Sequence, residues 1–236
     1  MDKLPFLKVF SHRRQVDRKS LCVLSMLISL FSSGAVAAIN FDLLMTLAEQ
    51  QYGTHTRQSF SELRDIFNHL ENAQEEKKLK EINEFVNRKI LMAGEDIDIW
   101  GKADYWATPL ESIGRGAGDC EDYSIAKYLF LRELGVPNDK LRLTYVRAQI
   151  GGPHSRIFQA HMVLSYYTTP NAEPLILDNL ISDIRVASRR PDLKPIFGFN
   201  SNGLWVGSSG SSRGDSSTYL SRWRSLLERA RNEGIE

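Results

Sequence analysis

The chain predicts an α+β domain, with helices in its first half and antiparallel strands in its second. Three observations carry this. Apolar residues recur at helical spacing from Phe41 to Leu91. They alternate as in strands from Leu141 to Asn179. Glycine, proline and asparagine clusters punctuate the second half where turns are needed.

Leu43, Leu44 and Leu47 give the first helix, over Phe41–Tyr52, and Gly53 ends it. Ser59 and Glu62 have the spacing of a capping box, followed by Leu63, Ile66, Phe67 and Leu70 on one face. A charged helix over Glu75–Leu91 buries Leu79, Ile82, Phe85, Val86 and Ile90, and its Glu/Lys run at 75–81 is the solvated face. The stretch from Trp100 to Cys120 is rich in glycine and aromatics, a poor helix and a poor strand, so it reads as an ordered loop. Its glycines at 114, 116 and 118 allow backbone to come close to something.

A buried helix opens at Gly118-Asp119, with Ile125, Ala126, Leu129, Phe130 and Leu134 as its core face. Gly135 is a suitable residue just past its end, and Pro137 blocks continuation. Strands follow at Leu141–Val146, Phe158–Tyr166 and Leu175–Asn179, with turns at Gly151-Gly152-Pro153 and Pro170-Asn171. Asn202–Gly207 reads as one more short strand. Ser208–Ser217 is a Ser/Gly-rich loop before a last helix, Thr218–Asn232, with Tyr219, Trp223, Leu226 and Leu227 inward.

Residues 1–37 stand apart. Six lysines and arginines precede an apolar run, Leu21–Phe31, and small residues ending in Ala35-Val36-Ala37. That is the order of a secretory leader, and the run is shorter than the roughly 20 residues that span a bilayer. The sequence therefore predicts an exported protein, without stable membrane insertion after cleavage, whose domain is 38–236. Without the leader the formal charge is −3, which gives no basic footprint for nucleic acid.

Cys22 lies in the leader, so Cys120 is the sole cysteine of the mature part. A lone thiol has plain readings, a small buried hydrophobe or an intermolecular disulfide. Its place in the first turn of a helix gives another, since free N–H groups and the helix dipole lower a thiol pKa and can receive an oxyanion. Such a nucleophile needs a base and an orienting group. Of His55, His69, His154 and His161, the last stands mid-strand on the face opposite Ala160, Met162 and Leu164, either exposed or aimed at a neighbouring helix. Asp178 ends an apolar strand, as a turn residue or a buried orienter. Cysteine on a helix start with histidine and aspartate on adjacent strands is the arrangement of a papain-like triad.

The segments "DYWATPLESIGRGAGDCEDYSIAKYLFLRELGVP", "AHMVL" and "LILDNL" resemble the bacterial transglutaminase-like cysteine proteinases of the LapG type. The resemblance runs from about Phe41 to the last helix. It implies a transglutaminase-like fold, N-terminal helices and a catalytic helix packed on an antiparallel sheet. It also implies a periplasmic, Ca²⁺-dependent endopeptidase that releases a large surface adhesin to promote biofilm dispersal, cutting near the adhesin N-terminus between two alanines. By position, the implied triad is Cys120, His161 and Asp178. The implied inhibitor is the periplasmic domain of an inner-membrane receptor for cyclic di-GMP.

Asp119, Glu121 and Asp122 surround the cysteine with hard oxygen ligands. Helix capping accounts for such residues, yet three negative charges raise a thiol pKa. Bound Ca²⁺ would reverse the local field. Three side chains fall short of calcium's six to eight oxygens, so carbonyls and waters would complete the set. Tyr105 and Trp106 are the candidate second oxyanion donors, or else core aromatics. The competing readings are an acyl-transferase on the same triad and a non-catalytic periplasmic binding module.

Overall fold

The computed structural model describes residues 39–206 and 217–236, with backbone alone at 217–220. The leader at 1–37, most of the Ser/Gly-rich loop and the Tyr219 side chain lie outside the described residues.

Three long helices open the domain: α1 (Phe41–Tyr52), α2 (Thr54–Leu70) and α3 (Glu75–Lys89). Asn40 caps α1 through its side chain, 3.0 Å from the Leu43 N–H. Only Gly53 separates α1 from α2, and its φ of 91° turns the chain in one step. Consequently α2 starts ahead of the expected capping box. Ser59 is buried mid-helix, donating to the His55 carbonyl at 3.4 Å, and His55 lies in the first turn of α2. Ile90 turns extended after Lys89, which ends α3 before Leu91. Leu91–Met92 (β1) then pairs in parallel with Ala117–Gly118 (β2).

The expected loop contains a helix, and another leads into it. A short α4 (Asp96–Trp100) precedes α5 (Pro109–Arg115), which has a full capping box between Thr108 and Glu111, proline in its first turn and Gly116 in the left-handed region at its end. These are strong local signals. The element has too few residues for apolar periodicity to show, and Gly114 interrupts it. That glycine packs on the Tyr52 ring, where a Cβ would come within 2.5 Å of a ring carbon.

Helix α6 (Cys120–Glu133) is the centre of the molecule, buried on nearly every side. It lies against α3 and on strands β3 (Leu141–Ile150) and β4 (Ile157–Tyr166). Ile125, Leu129 and Phe130 join Phe85 and Val86 of α3 with Leu143, Met162 and Leu164 of the sheet in one core. Burying a leucine or phenylalanine of this kind contributes about 1.5–3 kcal/mol each.

The sheet has six strands in the order β6-β5-β4-β3-β7-β8, every neighbour antiparallel. β3 and β4 form a ten-pair hairpin, from Leu141 opposite Tyr166 to Ile150 opposite Ile157. β5 (Leu175–Leu177) pairs with β4 only at Leu164–Tyr166, and β6 (Arg185–Val186) is a two-residue edge beside it. β7 (Leu193–Asn200) has no counterpart in the sequence reading. Pro195 and Gly198 speak against a central strand, and the structure seats Pro195 at a bulge opposite Val146. β8 (Gly203–Val206) and α7 (Ser217–Asn232) complete the fold, with Trp223 and Leu226 buried and Leu227 packed at the core's margin.

Candidate active site

Cys120 opens α6 because Asp119 and Asp122 form a capping box around it. Asp119 Oδ1 accepts the Glu121 N–H at 3.2 Å, and Asp122 Oδ2 accepts the Asp119 N–H at 3.3 Å. Asp122 Oδ1 also accepts the Ala107 N–H at 2.9 Å, tying the upstream segment to the helix start. Gly118 is required here, since a Cβ would stand 2.7 Å from Asp122 Oδ2. Capping is therefore one real task of the acidic residues.

A cleft of about 690 Å³ holds Asp119, Cys120 and Glu121 on one side and Gln159, Ala160 and His161 on the other. His161 Nε2 lies 2.8 Å from Asp178 Oδ1, with both side chains buried. The peptide N–H of Leu180 adds a bond to the same oxygen at 3.1 Å, and Arg190 Nη2 holds Oδ2 at 2.7 Å. Burial alone would raise the Asp178 carboxyl. The bonds from His161 and Arg190 outweigh it and bring the pKa down to about 2. Asp178 is thus a fixed anion, His161 carries its proton on Nε2, and Nδ1 is the nitrogen left to exchange a proton in the cleft.

The thiol is held quiet. Cys120 Sγ donates to Glu121 Oε2 at 2.8 Å, and burial, then Glu121, raise its pKa well above the ordinary range. The fold also brings in a residue that sequence reasoning missed, Asp96 of α4. Ligand oxygens of Asp96, Asp119 and Asp122 lie within 4.8 Å of one another, as do ligand atoms of Asp119, Cys120 and Glu121. Burial pushes Asp119 up to about 9, with Glu121 and Asp122 adding to it. Burial likewise lifts Asp122 to about 7 and Asp96 to about 6, each partly offset by backbone N–H bonds. Asp96 Oδ1 is buried without a hydrogen-bond partner. Such a group is costly unless a proton or a cation joins it, and the Asp96, Asp119 and Asp122 donors are all oxygen, as calcium prefers. The residues fit that ion. The acidic run Glu95-Asp96-Ile97-Asp98 was the only hint in the sequence.

Tyr105 and Trp106 are placed elsewhere. The Tyr105 hydroxyl donates to Glu111 Oε1 at 2.7 Å and accepts from Arg229 Nη1 at 2.7 Å. Trp106 is buried and stacked on Phe199, ring centroids 5.6 Å apart. Neither is among the described residues lining the cleft. His55 and His69 are on α2, and His154 is exposed in the β3–β4 turn.

A thiol at a helix start, sharing a cleft with a buried His–Asp pair on an antiparallel sheet, defines a papain-like, transglutaminase-like cysteine proteinase. The chain belongs to the bacterial transglutaminase-like cysteine proteinases, whose family profile matches residues 46–191. Among solved structures it is similar to LapG of Legionella pneumophila. The EGTA-treated form is 41% identical, with a TM-score of 0.69, covering 82% of this chain and 98% of that one. The calcium-bound form is 41% identical, with a TM-score of 0.67, covering 81% and 99%. Comparison with curated protein sequences gives no match.

Proposed function

We propose that this cysteine proteinase is exported by residues 1–37 to the periplasm. There it cuts a large surface adhesin near its N-terminus, at an Ala-Ala bond, in a calcium-dependent manner. The observation that carries the reading is the single cleft holding Cys120 and His161, with Asp178 behind the histidine and the carboxylates of Asp96 and Asp119 beside the thiol. The calcium-bound and EGTA-treated LapG structures support the metal.

In this reading Cys120 attacks the scissile carbonyl after its proton passes to His161 Nδ1. The N–H of Cys120 itself, at the start of α6, would receive the developing oxyanion, since the Glu121 N–H is taken by Asp119. His161 returns the proton to the leaving amine, and water resolves the thioester with the same histidine as base. Asp178 keeps the imidazole in one tautomer throughout. Asp96, Asp119, Glu121 and Asp122 would hold the Ca²⁺, with Asp119 and Asp122 retaining their capping bonds. When bound, the ion supplies positive charge that offsets the carboxylates facing the thiol. The periplasmic domain of a cyclic di-GMP receptor is the proposed inhibitor.

The test is cleavage of an adhesin N-terminal fragment containing Ala-Ala, with EGTA and with calcium restored, alongside melting curves. Two fragments with calcium, none with EGTA, and a calcium-dependent rise in Tm are expected. Asp96→Asn should blunt both responses. Cleavage and melting indifferent to EGTA would leave the acidic cluster as capping alone, and cross-linked product in place of fragments would mark an acyl-transferase.

A further inference from the structure

We infer that the substrate chain binds as an added strand on the free edge of β4, main chain to main chain at Phe158 and Ala160, with Cys120 at the end of that edge. This rests on the peptidase reading above and says how that site recognises its substrate.

Among the described residues the edge is open, because β5 pairs with β4 only at Leu164–Tyr166 and leaves it at Asp178. There the chain turns away, Asp178 Oδ1 accepting the Leu180 N–H. The β3–β4 register is regular over all ten pairs, so β4 main-chain groups alternate strictly between the β3 side and the open side. Met162 fixes the phase. Its carbonyl accepts from Ser124 Oγ of α6 at 3.1 Å, away from β3. Tyr167 agrees, its N–H donating to Lys140 on the β3 side at 2.8 Å. Counting back from Met162 in twos, the N–H and C=O of Ala160 and Phe158 face the open side, in line with the nucleophile.

Exposed strand edges invite another strand, and proteins blunt them with charge, proline or brevity. β6 follows that rule, being two residues long with an exposed arginine. Ile157–Ala160 does not. Its four residues, Ile-Phe-Gln-Ala, are exposed and carry neither charge nor proline. Ile157 is 61% exposed and Phe158 41%. Gln159 and Ala160 line the same cleft as Cys120 and His161. An edge continuous with the catalytic cleft suits one occupant, an extended polypeptide, held by backbone bonds with side chains alternating between the two faces. The class of substrate follows: an unfolded or linker segment, since a folded domain offers no free strand to add.

The experiment labels Cys120 of the full chain, in calcium, with a tri-alanine chloromethyl ketone and with chloroacetone, the same electrophile without a peptide. Phe158→Pro removes an N–H on the open side and leaves the β3 ladder intact. Peptide-ketone labelling should fall about five- to tenfold, the loss of one hydrogen bond with some steric exclusion, while chloroacetone labelling holds. Gln159→Pro, one residue along, breaks a ladder bond instead and should lower Tm. On the parent protein, N-methylation of successive amides in a competing alanine peptide should weaken binding with a period of two, which keeps the test independent of any variant's folding. Unchanged peptide labelling in a folded Phe158→Pro, or no alternation among the methylated peptides, overturns the strand proposal. A dimer dissolved by Phe158→Pro with labelling unchanged assigns the edge to a second copy and overturns it too. If the parent reacts no faster with the peptide ketone than with chloroacetone, the peptidase reading itself fails.

Discussion

The Cys120 thiol donates to the carboxylate of its own chain neighbour, Glu121, at 2.8 Å. Burial, and then that charge, raise the thiol pKa and keep the nucleophile protonated. Glu121→Gln keeps an acceptor and removes the charge. The midpoint of the alkylation rate against pH, measured in EGTA, should move to lower pH. An unmoved midpoint would put the whole effect on burial.

Asp178 joins His161 and Arg190 in a buried array, and both of its oxygens are used. Asp178→Asn should cut kcat by roughly 10³–10⁴-fold, because the amide allows the wrong histidine tautomer. The same substitution should change acid stability. A carboxyl at about 2 when folded, against about 3.9 unfolded, contributes roughly 2–3 kcal/mol above about pH 4. That contribution disappears as pH falls toward about 2. Melting curves of the parent should show this acid limb, and those of Asp178→Asn should lack it.

Lys127 is fully buried on α6, and its Nζ has no hydrogen-bond partner among the described residues. Burial brings its pKa down to about 7, against an opposing pull from Asp178. The unfolded chain then holds more protons than the folded one between about pH 7 and pH 10, so stability should rise with pH across that window. Lys127→Met should flatten the rise and raise Tm at neutral pH, by the equivalent of at most about 4 kcal/mol. A parent Tm that falls over the same range would contradict this.

Gly118→Ala introduces a Cβ against Asp122. Overpacking of this kind costs about 1–3 kcal/mol, and here it also displaces the capping carboxylate beside Cys120. Loss of cleavage should exceed what the fall in Tm explains, checked by assaying well below the melting transition. Full activity would mean that Asp122 can move without consequence.

Much of this architecture is legible in the sequence. The periodicity of α1, α3 and α6, the alternation of β3 and β4 and the Gly135-Val136-Pro137 stop are local patterns, imposed by backbone geometry within a few residues. Cys120, His161 and Asp178 could be singled out because each stands at a telling place in its own element. The motif around the cysteine carried the family. Where local signals compete, the local pattern does not decide the element. Ser59 lost its capping role to Gly53, α5 lay in a glycine-rich stretch, and β7 is a strand in spite of Pro195 because β3 and β8 pair with it on both sides.

Tertiary structure alone decided three things. It brought Asp96 from α4 to the carboxylates of α6, kept Tyr105 and Trp106 out of the cleft, and ended β5 early enough to leave Phe158 and Ala160 uncovered. The physical reason is common to all three. Hydrophobic period and turn chemistry act over a turn or a strand, whereas the meeting of distant side chains depends on how whole elements pack. Charge repulsion, burial and unpaired main-chain groups come into being only once that packing exists.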